Sequence, residues 1–189
     1  MFLRKNSYYL ALICFIFLCL AISYQLSDTP LKRIEQAVLA ENSTGVYKEN
    51  VAVDFQLLNS NGEKLTLSNY RGKKVIINFF ATWCGPCQEE MPVFVELDRI
   101  TDNQKLIILG VNMTKEEKNP NQVREFAEHF QVEYEVLYDG EGKVMKDYQL
   151  IGIPTTIFID EKGKIVERFN GILTMDMLKK HRFLAGIIE

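Results

Sequence analysis

The sequence predicts a three-layer α/β domain, a central mixed β-sheet flanked by helices, preceded by one transmembrane helix. Three observations lead there. Two near-continuous apolar runs, Lys74–Phe80 and Lys105–Met113, read as strands buried on both faces. Stretches with apolar residues at helical spacing, Cys84–Ile100 and Asn119–Phe130, alternate with them. A chargeless stretch, Tyr8–Tyr24, stands ahead of all of these. The 189 residues leave room for one domain and an appendage. With 47% hydrophobic and 25% charged residues the composition is that of an ordinary globular chain, and a net charge of −3 argues against nucleic acid as a partner.

Taken in order, residues 1–7 form a polar tail containing Arg4 and Lys5. Residues 8–24 lie at the short end for a spanning helix, and the basic residues ahead of them place the tail in the cytoplasm and the remainder outside. A cleaved signal peptide competes, since Ala21-Ile22-Ser23 is a small-x-small site; the flanking tyrosines favour a retained, single-pass anchor in the cell membrane. Either way the domain is exported. Residues 25–50 read as a polar linker with one amphipathic piece, Leu31–Ala40.

The domain is placed at residues 51–189. Val51–Leu58 and Lys64–Leu67 alternate around Asn61-Gly62, the pattern of a hairpin. Ser68–Gly72 turns into the strand Lys74–Phe80. A helix follows over Cys84–Ile100, with Phe94, Leu97 and Ile100 inward and Pro92 expected to kink it. After the strand Lys105–Met113, Asn119-Pro120 caps a helix through Phe130, whose Val123, Phe126, Ala127 and Phe130 share a face. The remainder reads as a short strand Tyr134–Tyr138, a turn, a short helix Val144–Tyr148, and a strand opened by Pro154. A turn at Glu161–Lys164, a strand Ile165–Phe169 and a helix Leu173–Ile187 close the chain.

The chemistry concentrates in the run from Phe79 to Pro92. Cys84 and Cys87 are the only cysteines outside the apolar N-terminal stretch, which holds Cys14 and Cys19. At a helix start the unpaired amides and their partial positive charge favour a thiolate, which makes Cys84 a nucleophile near neutral pH. Cys87 sits one turn later, close enough to close a small disulfide ring, and Pro86 fits the first turn because its missing N–H costs nothing there. A zinc site needs four ligands, whereas His129 and His181 lie far off, on expected surface helices. Haem attachment needs histidine after the second cysteine, where this chain has Gln88. The reading is therefore a redox dithiol with no metal and no cofactor beyond a Cys84–Cys87 disulfide. Glycine-rich nucleotide motifs are absent, and Glu89, Glu90 and Lys115-Glu116-Glu117-Lys118 read as solvated.

At Trp83-Cys84-Gly85-Pro86-Cys87 the chain resembles the thioredoxin superfamily. With Asn78-Phe79-Phe80-Ala81-Thr82 before and Glu90-Met91-Pro92 after, it is similar to the TlpA/ResA-like membrane-anchored, extracytoplasmic thiol–disulfide oxidoreductases, over residues 51–189. The resemblance implies a thioredoxin-like fold with an extra N-terminal hairpin. It also implies thiol–disulfide exchange in which Cys84 attacks a substrate disulfide and Cys87 resolves the mixed disulfide. Trp83, Gly85, Pro86, Ile153, Pro154 and Thr155 become the supporting residues. A cis Ile153–Pro154 bond would set the Ile153 backbone opposite Cys84, and Thr155 would line the same groove. Gly85-Pro86 resembles the reducing end of a range spanning on the order of 150 mV, roughly 7 kcal/mol for two electrons.

The implied partners are protein thiols and disulfides, in a setting such as cytochrome c maturation. A transmembrane thiol carrier is implied as electron donor, because the outside is oxidising. Two departures stand out. Asn78 occupies the place of thioredoxin's buried aspartate, and Leu58 the place of a hairpin glutamate found in several ResA-like proteins, so Cys87 lacks an evident base. Two alternatives compete. A thiol peroxidase of the peroxiredoxin class needs Pro-x-x-x-Thr/Ser-x-x-Cys, and Ile76–Trp83 contains no proline. A thioredoxin-fold module that only binds would have no use for two thiols.

Overall fold

The two apolar runs lie side by side in the middle of a seven-stranded sheet. Strand β5 (Lys74–Phe80) runs parallel to β6 (Leu106–Asn112), with Phe80 opposite Asn112. On one side β5 meets antiparallel β8 (Thr155–Ile159), which pairs with β9 (Ile165–Asn170). On the other, β6 meets parallel β7 (Glu135–Tyr138), followed by the antiparallel hairpin β3 (Gln56–Asn59) and β4 (Lys64–Thr66). The computed structural model describes residues 12–23, 43–101 and 104–188.

Strand periodicity makes β5 serve two layers. Val75, Ile77 and Phe79 point into a core with Phe55, Leu67, Val144 and Tyr148. Ile76 and Phe80 point into a second core with Met91, Phe94, Leu97, Val123, Leu178 and Phe183. That second core is covered by three helices, α2 (Gly85–Ile100), α3 (Asn121–His129) and α5 (Met175–Lys180). The first is covered by α4 (Lys143–Asp147) and the segment ahead of β3. Asn78 has the same parity as Ile76 and Phe80, so β5 aims an amide at α2 from within an apolar face.

The helix over residues 12–23, α1, belongs to a unit comprising residues 1–42, separate from the unit Ser43–Glu189. Its Leu12, Phe15, Phe17 and Leu20 are exposed. Among the described residues no helix is long and apolar enough to cross a membrane. The expected tail 1–7, both ends of the expected span 8–24, and linker residues 25–42 lie outside the described residues.

Three expectations change. Residues 43–50, read as linker, are part of the domain unit: β1 (Thr44–Gly45) pairs with β2 (Val51–Ala52), and Val46 is buried. This strap is tied to the β8–β9 turn by Ala52 N–H donating to Gly163 O and Ile165 N–H donating to Asn50 O, both at 2.9 Å. The run Val51–Leu58 is accordingly two strands, broken where the Asp54 carboxylate accepts from Phe55 N–H and Ser68 N–H. The closing helix stops at Lys180, because His181 turns extended and its ring nitrogen accepts from Phe183 N–H to start a new 3₁₀ turn, Arg182–Leu184.

His181 is thus no surface helix residue. Its ring stacks on Phe158 at 4.5 Å, and Nε2 lies 2.8 Å from Glu167. Phe158 is fully buried between His181 and the edge of Phe183. Phe158→Ala is expected to cost about 3–5 kcal/mol in urea unfolding; a loss under about 1 kcal/mol would contradict this packing.

Candidate active site

Beyond Phe80 the chain needs only Ala81, Thr82 and Trp83 to reach α2. Cys84 is its N-cap, with extended backbone and a sulfur that accepts from Cys87 N–H at 3.2 Å. Of the amides at this helix start, Cys87 N–H thus faces the sulfur, while Gln88 N–H donates to Cys84 O at 3.1 Å. Cys84 and Cys87 form a disulfide with Cα atoms 5.2 Å apart. Cys84 is 5% exposed and Cys87 1%, which makes Cys84 the outer of the two.

Gly85 and Pro86 take the first two helical positions and are exposed. A Cβ on Gly85 would meet nothing within 4 Å, so the fold does not demand glycine there, and the bare backbone leaves space beside the disulfide. Trp83 is 54% exposed, with its indole N–H donating to Glu116 O at 3.1 Å. Facing these residues is the loop ahead of β8. The Ile153–Pro154 bond is cis, and Ile153 O lies 3.9 Å from Cys84 Sγ, a contact without a proton because the sulfur is in a disulfide. Ile151, two residues before, is 89% exposed. Thr155 does not line the groove. It is fully buried, and its hydroxyl donates to Gly152 O at 2.7 Å and bonds Asn170 at 3.0 Å, which fixes the loop from behind.

One of the two acids read as solvated on α2 is buried. Glu89 is exposed, but Glu90 is buried to 1% and lies one turn beyond Cys87 on the inward face of α2. Leu173 N–H donates to its Oε1 at 2.8 Å and Asn78 Nδ2 to its Oε2 at 2.9 Å. Asn78 also bonds the Thr156 hydroxyl at 3.2 Å. Burial pushes the Glu90 carboxyl up to about 7, against the two hydrogen bonds, which favour the anion. The neighbouring Tyr134 phenol is raised in turn, first by burial and then by the Glu90 and Asp98 carboxylates, and it donates to Met91 Sδ. Leu58 contributes no polar group: it is half-exposed on β3, opposite Tyr138 and Lys64.

Glu90 was legible in principle, since 87, 90, 94 and 97 form one helical stripe with the inward residues Phe94 and Leu97. A second acid carried no such sign. Lys115, Glu116 and Lys118 are exposed as expected of a charged loop, whereas Glu117 turns inward and its carboxylate accepts from Thr82. Among the described residues no group of three or more His, Cys, Asp or Glu side chains could hold a metal ion.

Comparison with known proteins agrees with this geometry. Residues 49–168 match the AhpC/TSA family. The chain is 38% identical over 135 residues to the thioredoxin-like protein YneN of Bacillus subtilis, covering 71% of this chain and 78% of that one. It is 37% identical over 138 residues to the thiol-disulfide oxidoreductase ResA of Geobacillus thermodenitrificans, covering 73% and 78%. Among solved structures, StoA from Bacillus subtilis superposes with a TM-score of 0.60 at 30% identity, over 68% of this chain and 95% of that one.

Proposed function

The chain belongs to the AhpC/TSA family and is a thiol–disulfide oxidoreductase with a thioredoxin-like fold, and on that premise we propose that it reduces disulfides of other proteins through Cys84 and Cys87 on the outer side of the cell membrane. One observation carries the reading: a disulfide capping α2, with its outer sulfur 3.9 Å from the Ile153 carbonyl.

In the reduced protein the Cys84 thiolate attacks one sulfur of a substrate disulfide. An S–S bond forms between Cys84 and substrate, and the other substrate sulfur leaves as a thiolate and takes a proton. Cys87 then gives up its proton and attacks Cys84. The disulfide closes and the second substrate sulfur departs, so two electrons pass to the substrate. We assign Glu90 as acceptor of the Cys87 proton: it is buried one turn beyond Cys87 on the same face of α2, and burial has weakened its acidity to near neutrality. Trp83, Pro86 and Ile151 offer apolar surface to a protein partner, and the backbone of Ile153 offers hydrogen bonds to an extended one.

The chargeless stretch Tyr8–Tyr24 supports a retained single-pass anchor with its N-terminus in the cytoplasm. An exported reductant must be re-reduced against an oxidising surrounding, which calls for a membrane thiol carrier as donor. Envelope proteins with cysteines to be kept reduced, including those of cytochrome c maturation, are the fitting substrates.

The test is a trap. Cys87→Ala in intact cells is expected to accumulate mixed disulfides through Cys84 that dithiothreitol releases. A folded variant that captures no thiol-sensitive partner would reject the reading.

A further inference from the structure

The three residues between β5 and Cys84 are held from outside by an element that the exchange chemistry leaves unused. After β6 the chain makes a 3₁₀ turn, Thr114–Glu116, and Glu117 follows it. The Glu117 carboxylate reaches across to the loop. Oε1 accepts from Thr82 N–H at 2.7 Å and from Asn112 Nδ2 at 2.8 Å, and Oε2 accepts from the Thr82 hydroxyl at 2.6 Å. The adjacent carbonyl, Glu116 O, takes the Trp83 indole N–H. From the far side Gln88 Nε2 donates to Thr82 O at 2.8 Å. Both polar groups of the Thr82 backbone and the ring of Trp83 are therefore fixed, immediately before the residue that caps α2. The turn is itself anchored: Met113 N–H donates to Phe80 O at 2.9 Å, and the Thr114 hydroxyl bonds Asn112.

We propose that Glu117 is a positioning residue for the dithiol: its carboxylate, held between Asn112 and Thr82, sets where Trp83 and Cys84 stand. This rests on the reading of Cys84 as the attacking sulfur. Without the carboxylate, Thr82 N–H loses its acceptor and the loop gains freedom. Cys84 then drifts from the Cys87 N–H and the helix start that favour its thiolate, and Trp83 loses the register of its indole. Exchange geometry tolerates little of this, since about an ångström of misplacement can cost on the order of a hundredfold in rate.

The geometry distinguishes two replacements. In Glu117→Gln the amide oxygen can still accept from both Thr82 N–H and Asn112, while its NH₂ meets a hydroxyl that can rotate to accept. In Glu117→Ala all three bonds vanish.

Three readouts on the full chain test this: the pH profile of Cys84 alkylation by iodoacetamide in the reduced protein, Trp83 fluorescence anisotropy, and kcat/KM for reduction of insulin disulfides. Glu117→Ala is expected to lower the neutral-pH alkylation rate and kcat/KM about tenfold and to reduce anisotropy, while Glu117→Gln stays within about twofold of wild type. Wild-type alkylation and anisotropy in a Glu117→Ala protein that has lost only stability would overturn the proposal. If Glu117→Ala does not fold, Thr82→Val removes one of the three bonds and is expected to shift the same readouts in the same direction. Unchanged values there would overturn the proposal equally. A wild-type protein that does not reduce insulin rejects the function proposed above, whereas alkylation and anisotropy still decide the role of Glu117.

Discussion

Serine in place of Cys84 is expected to lower disulfide reduction to the uncatalysed rate while leaving the fold intact. The asymmetry follows from what the position does. As an N-cap, Cys84 contributes an acceptor for Cys87 N–H, and serine is among the best residues for that role. As a nucleophile it contributes a thiolate, and a serine hydroxyl with no adjacent base is not ionised near neutral pH. Insulin reduction with dithiothreitol as electron source, read beside a urea unfolding curve, separates the two. Turnover surviving in Cys84→Ser would mean that Cys87, although buried to 1%, can attack by itself, and the order of events proposed here would be reversed.

Glu90→Gln is expected to remove a pH dependence from both stability and turnover. Burial raises the Glu90 carboxyl from 4.5 to about 7, so the folded protein holds a proton that the unfolded chain releases earlier. Below pH 4.5 both states are protonated and the group contributes nothing. As pH climbs from there to about 7 the folded state is progressively penalised, by on the order of 3 kcal/mol at about 1.4 kcal/mol per pH unit, and the penalty then stays constant. Wild-type stability measured against the glutamine variant should therefore fall across that window. Two parallel stability curves would sink the assignment. Turnover should respond with the opposite sign. Above pH 7 the ionised carboxylate can receive the Cys87 proton, and the variant, lacking it, is expected to resolve mixed disulfides about a hundredfold more slowly. Below pH 5, where wild-type Glu90 is itself protonated, the two proteins should converge.

Much of the architecture could be read from residue patterns because it follows from periodicity. Apart from Lys74, Asn78 and Asn112 the strands β5 and β6 are without polar side chains, which only a doubly covered strand tolerates, and the start of α2 carries its own cap in Cys84. What could not be read were the long-range polar contacts. Asp54 breaks a strand by reaching Ser68, His181 leaves the closing helix to stack on Phe158 beside Glu167, and Glu117 leaves a charged run for Thr82. Each of these side chains has the composition of a solvated surface, and only a partner distant in sequence turns it inward. Glu90 lies between the two cases. Its charge reads as solvated while its place on the stripe of Cys87, Phe94 and Leu97 faces inward, and its partners, Leu173 and Asn78, lie 83 and 12 positions away. The same holds for residues 43–50, whose polar composition hides a two-residue pairing with β2.

That short strap also bears on mechanical load. It grips the β8–β9 turn, and the strand register puts this turn beyond Val75, at the opposite pole of the sheet from the residues that follow Phe80. The intervening length of β5 is roughly 20 Å. Traction on the chain ahead of Ser43 therefore enters the domain at its base and is borne by a ladder of a few amides, with the rigid central strands between that point and the sulfurs. A load applied at Ser43 is thus kept apart from the surface around the disulfide by the length of β5.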